Sequence, residues 1–252
     1  MIGINTAILS RSGGSQGVGF AIPSNIARTV MDSLIAHGHV TRGYLGVLIQ
    51  NVTPALAQEF KLKNQGGALI GDVVDDGPAD QAGFKPGDVV LEFNGKQVTD
   101  SRHLQLAVAA TKPGSKVPVE ILRNGEKKTL DVTIKQLPGT EALAETNSED
   151  SNDTGTLNGV GVSDLDQQHR NEFNIPKDIK GAIVTQVEPG SAAAEAGLKP
   201  GDVIEDINHH PVKSADEAVK LTENTKRKRT LLRVWQKGGS HYIVVDESKS
   251  AG

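Results

Sequence analysis

Along most of the chain, apolar residues come in short runs, near-continuous or alternating with polar ones, and the runs end at Gly, Asn or Pro. That pattern predicts many short strands and few long helices. From residue 39 the strand-like runs are "GYLGVLIQ" (43–50), "GALIGDVV" (67–74), "DVVLEFNGKQV" (88–98), "KVPVEIL" (116–122) and "KKTLDVTI" (127–134). Asn94-Gly95 and Asn124-Gly125 interrupt or join these runs and read as hairpin turns. Between them lie a short helix after Thr53 as N-cap with Pro54 at the first helical position, and one helical turn "PADQ" closed by Gly83. A longer helix follows, "SRHLQLAVAAT" (101–111), with Leu104 and Val108 on one face.

The same order returns. "GPADQAGFKPGDVVLEFNGKQV" (77–98) recurs as "SAAAEAGLKPGDVIEDINHHPV" (191–212), and Gly83 maps to Gly197, 114 positions later. At that offset Lys85-Pro86-Gly87-Asp88-Val89 falls on Lys199-Pro200-Gly201-Asp202-Val203, and Gly67-Ala68 on Gly181-Ala182. So long a gap-free match means two copies of one globular domain, since the period is too long for a solenoid unit. Between the copies, "PGTEALAETNSEDSNDTGTLN" carries five acids and no base. With so little to bury it is expected to be a flexible linker. Residues 1–38 belong to neither copy: "IGINTAILS" and "GVGFAIP" read as strands around a Gly/Ser loop. A helix capped by Ser24 or Asn25 follows, with Ile26, Val30 and Leu34 on one face. The expected division is therefore 1–38, first domain 39–137, linker 138–157 and second domain 158–248.

Five or so short strands and two helices per copy predict an α+β fold, a small partly open barrel with the longer helix beside the first strand. A groove between a helix and an exposed strand edge takes an extended peptide as one more strand. Aromatics are only 3% of the residues, so a binding surface here depends on aliphatic positions and backbone. A net charge of −4 gives no reason to expect nucleic acid, and the absence of Cys excludes disulfides and thiolate metal sites. No apolar run is long enough for a membrane helix, and no signal-peptide pattern stands at the start. His37 with His39, and His209 with His210, lack acidic or thiol company at ligand spacing, so neither metal nor other cofactor is expected. Lys226 to Arg229 form a basic run expected to be a solvated loop.

"RGYLGV" (42–47), "AGFKPGD" (82–88) and "AGLKPGD" (196–202) together resemble PDZ domains of the bacterial, circularly permuted type. "IGINTAI…GVGFAIPSN" is similar to the last β-hairpin and helix of the trypsin-like barrel in the Do/HtrA (DegP- and DegQ-like) periplasmic serine endopeptidases, whose order is protease, PDZ, PDZ. The resemblance implies a tandem PDZ region that captures apolar C-termini of misfolded proteins in the periplasm, in a family that assembles into homo-oligomers. It also implies that the catalytic Ser, in a G-N-S-G-G motif, and its His and Asp would precede residue 1. The chain is expected to bind peptides without cleaving them. A stand-alone adaptor or assembly module is the alternative.

"RSGGSQGVGF" (11–20) offers Ser12 and Ser15 as decoy nucleophiles. No His, Asp or Glu precedes Ser12, and the Gly-rich stretch after Ser15 ends in Pro, so neither a trypsin-like order nor a nucleophile elbow is met. Gly17 to Phe20 resembles a carboxylate-binding loop but leads into Pro23 and a helix, so a turn is expected there. The expected site is Tyr44-Leu45-Gly46-Val47: successive backbone amides in a tight turn form a nest for a peptide carboxylate, with Gly46 allowing close approach. Val47, Leu48 and Ile49 would pair with the peptide backbone, Arg42 would attract its carboxylate from a distance, and Leu104 and Val108 would line the pocket or the core. The equivalent loop of the second copy is Val160-Gly161-Val162. It lacks a counterpart of Tyr44 or Arg42, and weaker or no binding is expected there.

Overall fold

Asparagine and glycine decide where the sheets turn. Asn94 and Gly95 have φ of 50° and 73°, and Asn124 and Gly125 have 53° and 83°. Both central residues are thus left-handed, the arrangement whose twist suits two adjoining antiparallel strands. The computed structural model describes residues 2–8, 17–37, 40–62, 66–137, 155–157, 159–223 and 229–249. Ser12, Ser15, the greater part of the acidic segment and Lys226 to Lys228 lie outside the described residues.

The leading segment pairs β1 (Gly3–Ile8) with β2 (Gly19–Pro23), antiparallel, and continues into α1 (Ser24–His37). The expected apolar face of α1 exists but covers no core: Ile26 and Leu34 are about half exposed. The first repeat runs β3 (Gly43–Tyr44), β4 (Val47–Asn51), α2 (Pro54–Glu59), β5 (Ala68–Val73), α3 (Pro78–Gln81), β6 (Val89–Phe93), β7 (Lys96–Gln97), α4 (Ser101–Ala110), β8 (Lys116–Arg123), β9 (Glu126–Thr133) and β10 (Lys135–Gln136). Its main sheet has the order β4-β5-β6-β8-β9, with β7 on β6, while β3 pairs separately with β10. The second repeat runs β11 (Gly155–Leu157), β12 (Val160–Asp164), α5 (Gln167–Glu172), β13 (Ala182–Val187), α6 (Ala192–Glu195), β14 (Val203–Ile207), β15 (His210–Pro211), α7 (Ala215–Glu223), β16 (Arg229–Gln236) and β17 (Gly239–Asp246). Its sheet order is β11-β12-β13-β14-β16-β17, with β15 on β14. The fold is α+β, as expected, and its sheets are open. One part of the expected linker departs from its reading: residues 155–157 form strand β11.

Packing explains why the repeat retains what it does. A Cβ on Gly67 would stand 2.8 Å from the Val90 carbonyl oxygen, and one on Gly181 would stand 2.2 Å from that of Ile204, so the strand after each glycine can approach its neighbour only without a side chain. Asp88 and Asp202 each accept the amide of the lysine three residues earlier, at 2.9 and 2.7 Å, which fixes both Lys-Pro-Gly-Asp turns. Above those turns lie separate cores, one around Ile70, Phe93, Leu104 and Ile121, the other around Val184, Ile204, Leu232 and Val234.

The two aspartates differ in their partner. Asp88 is fully buried and holds Arg123 through Nε at 2.6 Å and a terminal guanidinium nitrogen at 2.7 Å. Asp202 has the uncharged side-chain amide of Gln236 at the matching position. Burial pushes the Asp202 carboxyl above its usual range, opposed by the Gln236 and Lys199 bonds, and burial likewise raises Glu205 and Asp206. A carboxyl raised in the folded state binds a proton there that the unfolded chain has already released. The second repeat therefore loses stability as pH rises from the ordinary carboxylate range through the raised values. Asp202→Asn is expected to remove part of that slope. Trp235, the single tryptophan and buried in the second repeat, reports it in melts between about pH 4 and pH 7; an unchanged slope would count against the assignment.

The repeats also pack on one another. Leu231 and Tyr242 join Val52, Leu56, Leu69 and Val89 in one buried cluster, and the Tyr242 ring meets Phe60 edge-on at 5.3 Å. The Gln50 side chain donates to the Tyr242 carbonyl at 2.9 Å and accepts its amide at 2.7 Å, imitating one rung of a β-ladder. Arg233 donates to the Gly71 carbonyl and to Asp72, and lies 3.8 Å from Glu205.

Candidate functional site

A loop that holds a carboxylate must turn its carbonyls away and its amides outward. In the first repeat the Leu45 carbonyl accepts Ala79 N–H at 2.9 Å and the Gly46 carbonyl accepts Val74 N–H at 3.0 Å, while neither residue's own amide donates a bond among the described residues. Gly46 has φ +77°, and a Cβ there would stand 3.1 Å from Pro78 Cδ, so both conformation and space call for glycine. Leu45 is buried beneath the loop, and Tyr44 is half-buried in β3, opposite Lys135. Arg42 is exposed, its carbonyl accepting Leu137 N–H, so its charge is free to act over distance.

Past the loop, β4 is an edge strand. Among the described residues it pairs with β5 on one side only, and α4 lies against it. Asp100 caps α4 by accepting His103 N–H at 2.7 Å, a bond that holds its carboxyl below the usual carboxylate range. Close approach of β3 to α4 depends on Gly43, where a Cβ would collide with the Val108 carbonyl oxygen at 2.1 Å. Val47 and Ile49 from β4 and Ala107 from α4 are the half-buried apolar positions these elements contribute. Leu48 is 44% exposed on the opposite face of β4, toward Gly239 of the second repeat. Leu104 and Val108 are wholly or nearly buried and belong to the core. The structure thus gathers Tyr44, Leu45, Gly46, Val47 and Ile49 at one edge beside α4. Ala107 escaped the sequence reading because a lone Ala beside two larger apolar residues gives no signal.

The second repeat differs at the matching place. Val160, Gly161 and Val162 lie in β12, which is paired on both edges, with β11 on one and β13 on the other. Its loop carbonyl is clamped as in the first repeat, Gly159 accepting Glu188 N–H at 2.7 Å.

The sequence pattern of the PDZ domain matches residues 43–134 and again 183–236. Over 97% of its length the chain is 38% identical to the probable periplasmic serine endoprotease DegP-like of Chlamydia trachomatis and 39% identical to that of Brucella suis. This is a tandem PDZ chain of the HtrA family. It spans about half the length of the curated relatives it matches, 48% and 47% of those two. Among solved structures, the HtrA-type protease AlgW with tripeptide is 46% identical over 56% of this chain and 46% of that one, with a TM-score of 0.51. The same protease with decapeptide gives 46% identity and a TM-score of 0.50 over 56% of this chain and 43% of that one. Two PDZ domains in an HtrA-family chain point to a peptide-binding role, and no described helix is long and apolar enough to cross a membrane.

Proposed function

We propose that the first PDZ domain takes the apolar C-terminal end of an extended polypeptide as a strand on the free edge of β4, its carboxylate on the amides of the Leu45-Gly46 turn. The observation that carries this reading is the pairing of an open edge beside α4 with a loop whose carbonyls are tied down to Ala79 and Val74. Main-chain bonds along Val47 to Gln50 would supply affinity, and Val47, Ile49 and Ala107 the apolar preference. The two peptide-bearing structures of AlgW support it by likeness. In this reading the partners are exposed C-termini of misfolded periplasmic proteins, and the chain is the substrate-capturing part of a serine endoprotease that assembles from several copies. Val160 to Val162 would be the weaker or silent counterpart.

The test is a titration with a short peptide ending in Leu, beside its C-amidated form. A charge-assisted bond is worth about 1.5–3 kcal/mol, so amidation is expected to weaken binding by tenfold or more. Gly46→Trp, strained at φ +77°, is expected to abolish the free-acid binding while Trp235 of the second repeat stays buried. Equal affinity for acid and amide would overturn the carboxylate role of the turn.

A further inference from the structure

The leading strand of each PDZ repeat takes a different course. In the first, β3 pairs away with β10, and the chain enters β4 through Leu45-Gly46 with its edge open. In the second, the loop sequence is Leu157-Asn158-Gly159. An Asn-Gly pair between two strands is the strongest short hairpin signal, and Gly159 has the φ of +84° that such a turn needs. The preceding residues accordingly fold straight back: Gly155 pairs with Val162, Thr156 with Gly161 and Leu157 with Val160. β11 also lies against α7, the counterpart of α4. It therefore fills the place between the binding strand and the groove helix.

Its polarity completes the comparison. A C-terminal peptide added to such a strand runs antiparallel to it and ends at the strand's start, beside the carboxylate loop. β11 does the same, and Leu157 stands at the register position of the terminal residue, opposite Val160. A small pocket at that end is lined by Val160, Thr222, Leu232 and Val245. We propose that Gly155-Thr156-Leu157 is a tethered ligand: the second groove is built for an extended segment ending in an aliphatic residue, and the chain's own linker occupies it. Extended peptides from outside enter only when β11 peels away. The proposal rests on reading PDZ grooves as strand acceptors.

The experiment is NMR of the full chain titrated with the hexapeptide Asn-Asp-Thr-Gly-Thr-Leu bearing a free carboxylate, which copies residues 152–157. A tether through so short a loop sets an effective concentration on the order of millimolar or higher, so release is expected to tighten apparent binding at β12 by about tenfold or more. In the unmodified chain the β12 and α7 resonances should stay put at peptide concentrations that saturate Thr156→Pro/Leu157→Asp. Equal response in both proteins, or no response at β12 in a variant whose β13 and β14 resonances are intact, overturns the proposal. Should the variant unfold the second repeat, amide exchange in the unmodified chain decides. Slowed exchange of the β12 amides facing β11 supports occupancy, and exchange as fast as at an open edge overturns it. Resonances of Val47 to Asn51 report the first domain separately, so failure of its peptide reading is distinguishable.

Discussion

Arg123→Met is expected to destabilise the first PDZ domain by about 3–5 kcal/mol, the cost of leaving a buried carboxylate without its partner. Asp88 is inaccessible to solvent, and Arg123 supplies both of its charged contacts while also donating to the Gly83 carbonyl at 2.8 Å. Removing the guanidinium strands the charge and frees the turn that Gly83 closes. The matched substitution Gln236→Met in the second domain is expected to cost only about 1–2 kcal/mol, since the donor lost there carries no charge. Asp202 is, moreover, already biased toward its protonated form by burial. Exchange of the β8 and β9 amides reads the first domain, and Trp235 fluorescence reads the second. Equal losses in both domains would contradict this account.

Much of this architecture is legible in the sequence because local chemistry decides it. The hairpins at Asn94-Gly95 and Asn124-Gly125 and the caps at Thr53 and Gly83 follow from backbone preferences alone. The repeat alignment likewise carries the turn-locking Asp88 and Asp202. The candidate loop stands out for a different reason. Gly46 falls within the PDZ pattern, and its φ of +77° together with the close approach of Pro78 explains the glycine physically. What the sequence hides is long-range. Composition makes residues 138–157 a linker, yet three of them find an edge strand to complete. Leu104 and Val108 cannot be told from groove residues by helical spacing, because the same face of α4 meets both core and groove. The inter-domain contact is equally silent: Gln50 alternates correctly for an exposed strand position, and nothing in its neighbours announces Tyr242.

Gly71→Val is expected to part the two PDZ domains without unfolding either. A Cβ at position 71 would meet the Ser240 carbonyl oxygen at 2.3 Å and His241 Cα at 3.1 Å, and the three nearest atoms all belong to the second domain. Val suits a strand better than Gly does. The steric demand of this glycine thus comes from across the interface. Pushing β17 away would break the Gln50–Tyr242 pair and the bonds from Arg233 to Gly71 and Asp72 together, because they flank the same spot. Burial holds the Tyr242 phenol up at about 12, and in the variant it should fall back toward its ordinary value of 10. Spectrophotometric titration of the phenols reads that shift, and solution scattering reads the gain in radius of gyration. The consequence reaches the open edge of β4. Gln50 anchors β4 from behind while its open edge faces α4, so losing the anchor should speed amide exchange along Val47 to Asn51. A variant with an unshifted phenol and unchanged scattering would show that Gly71 does not hold the domains together.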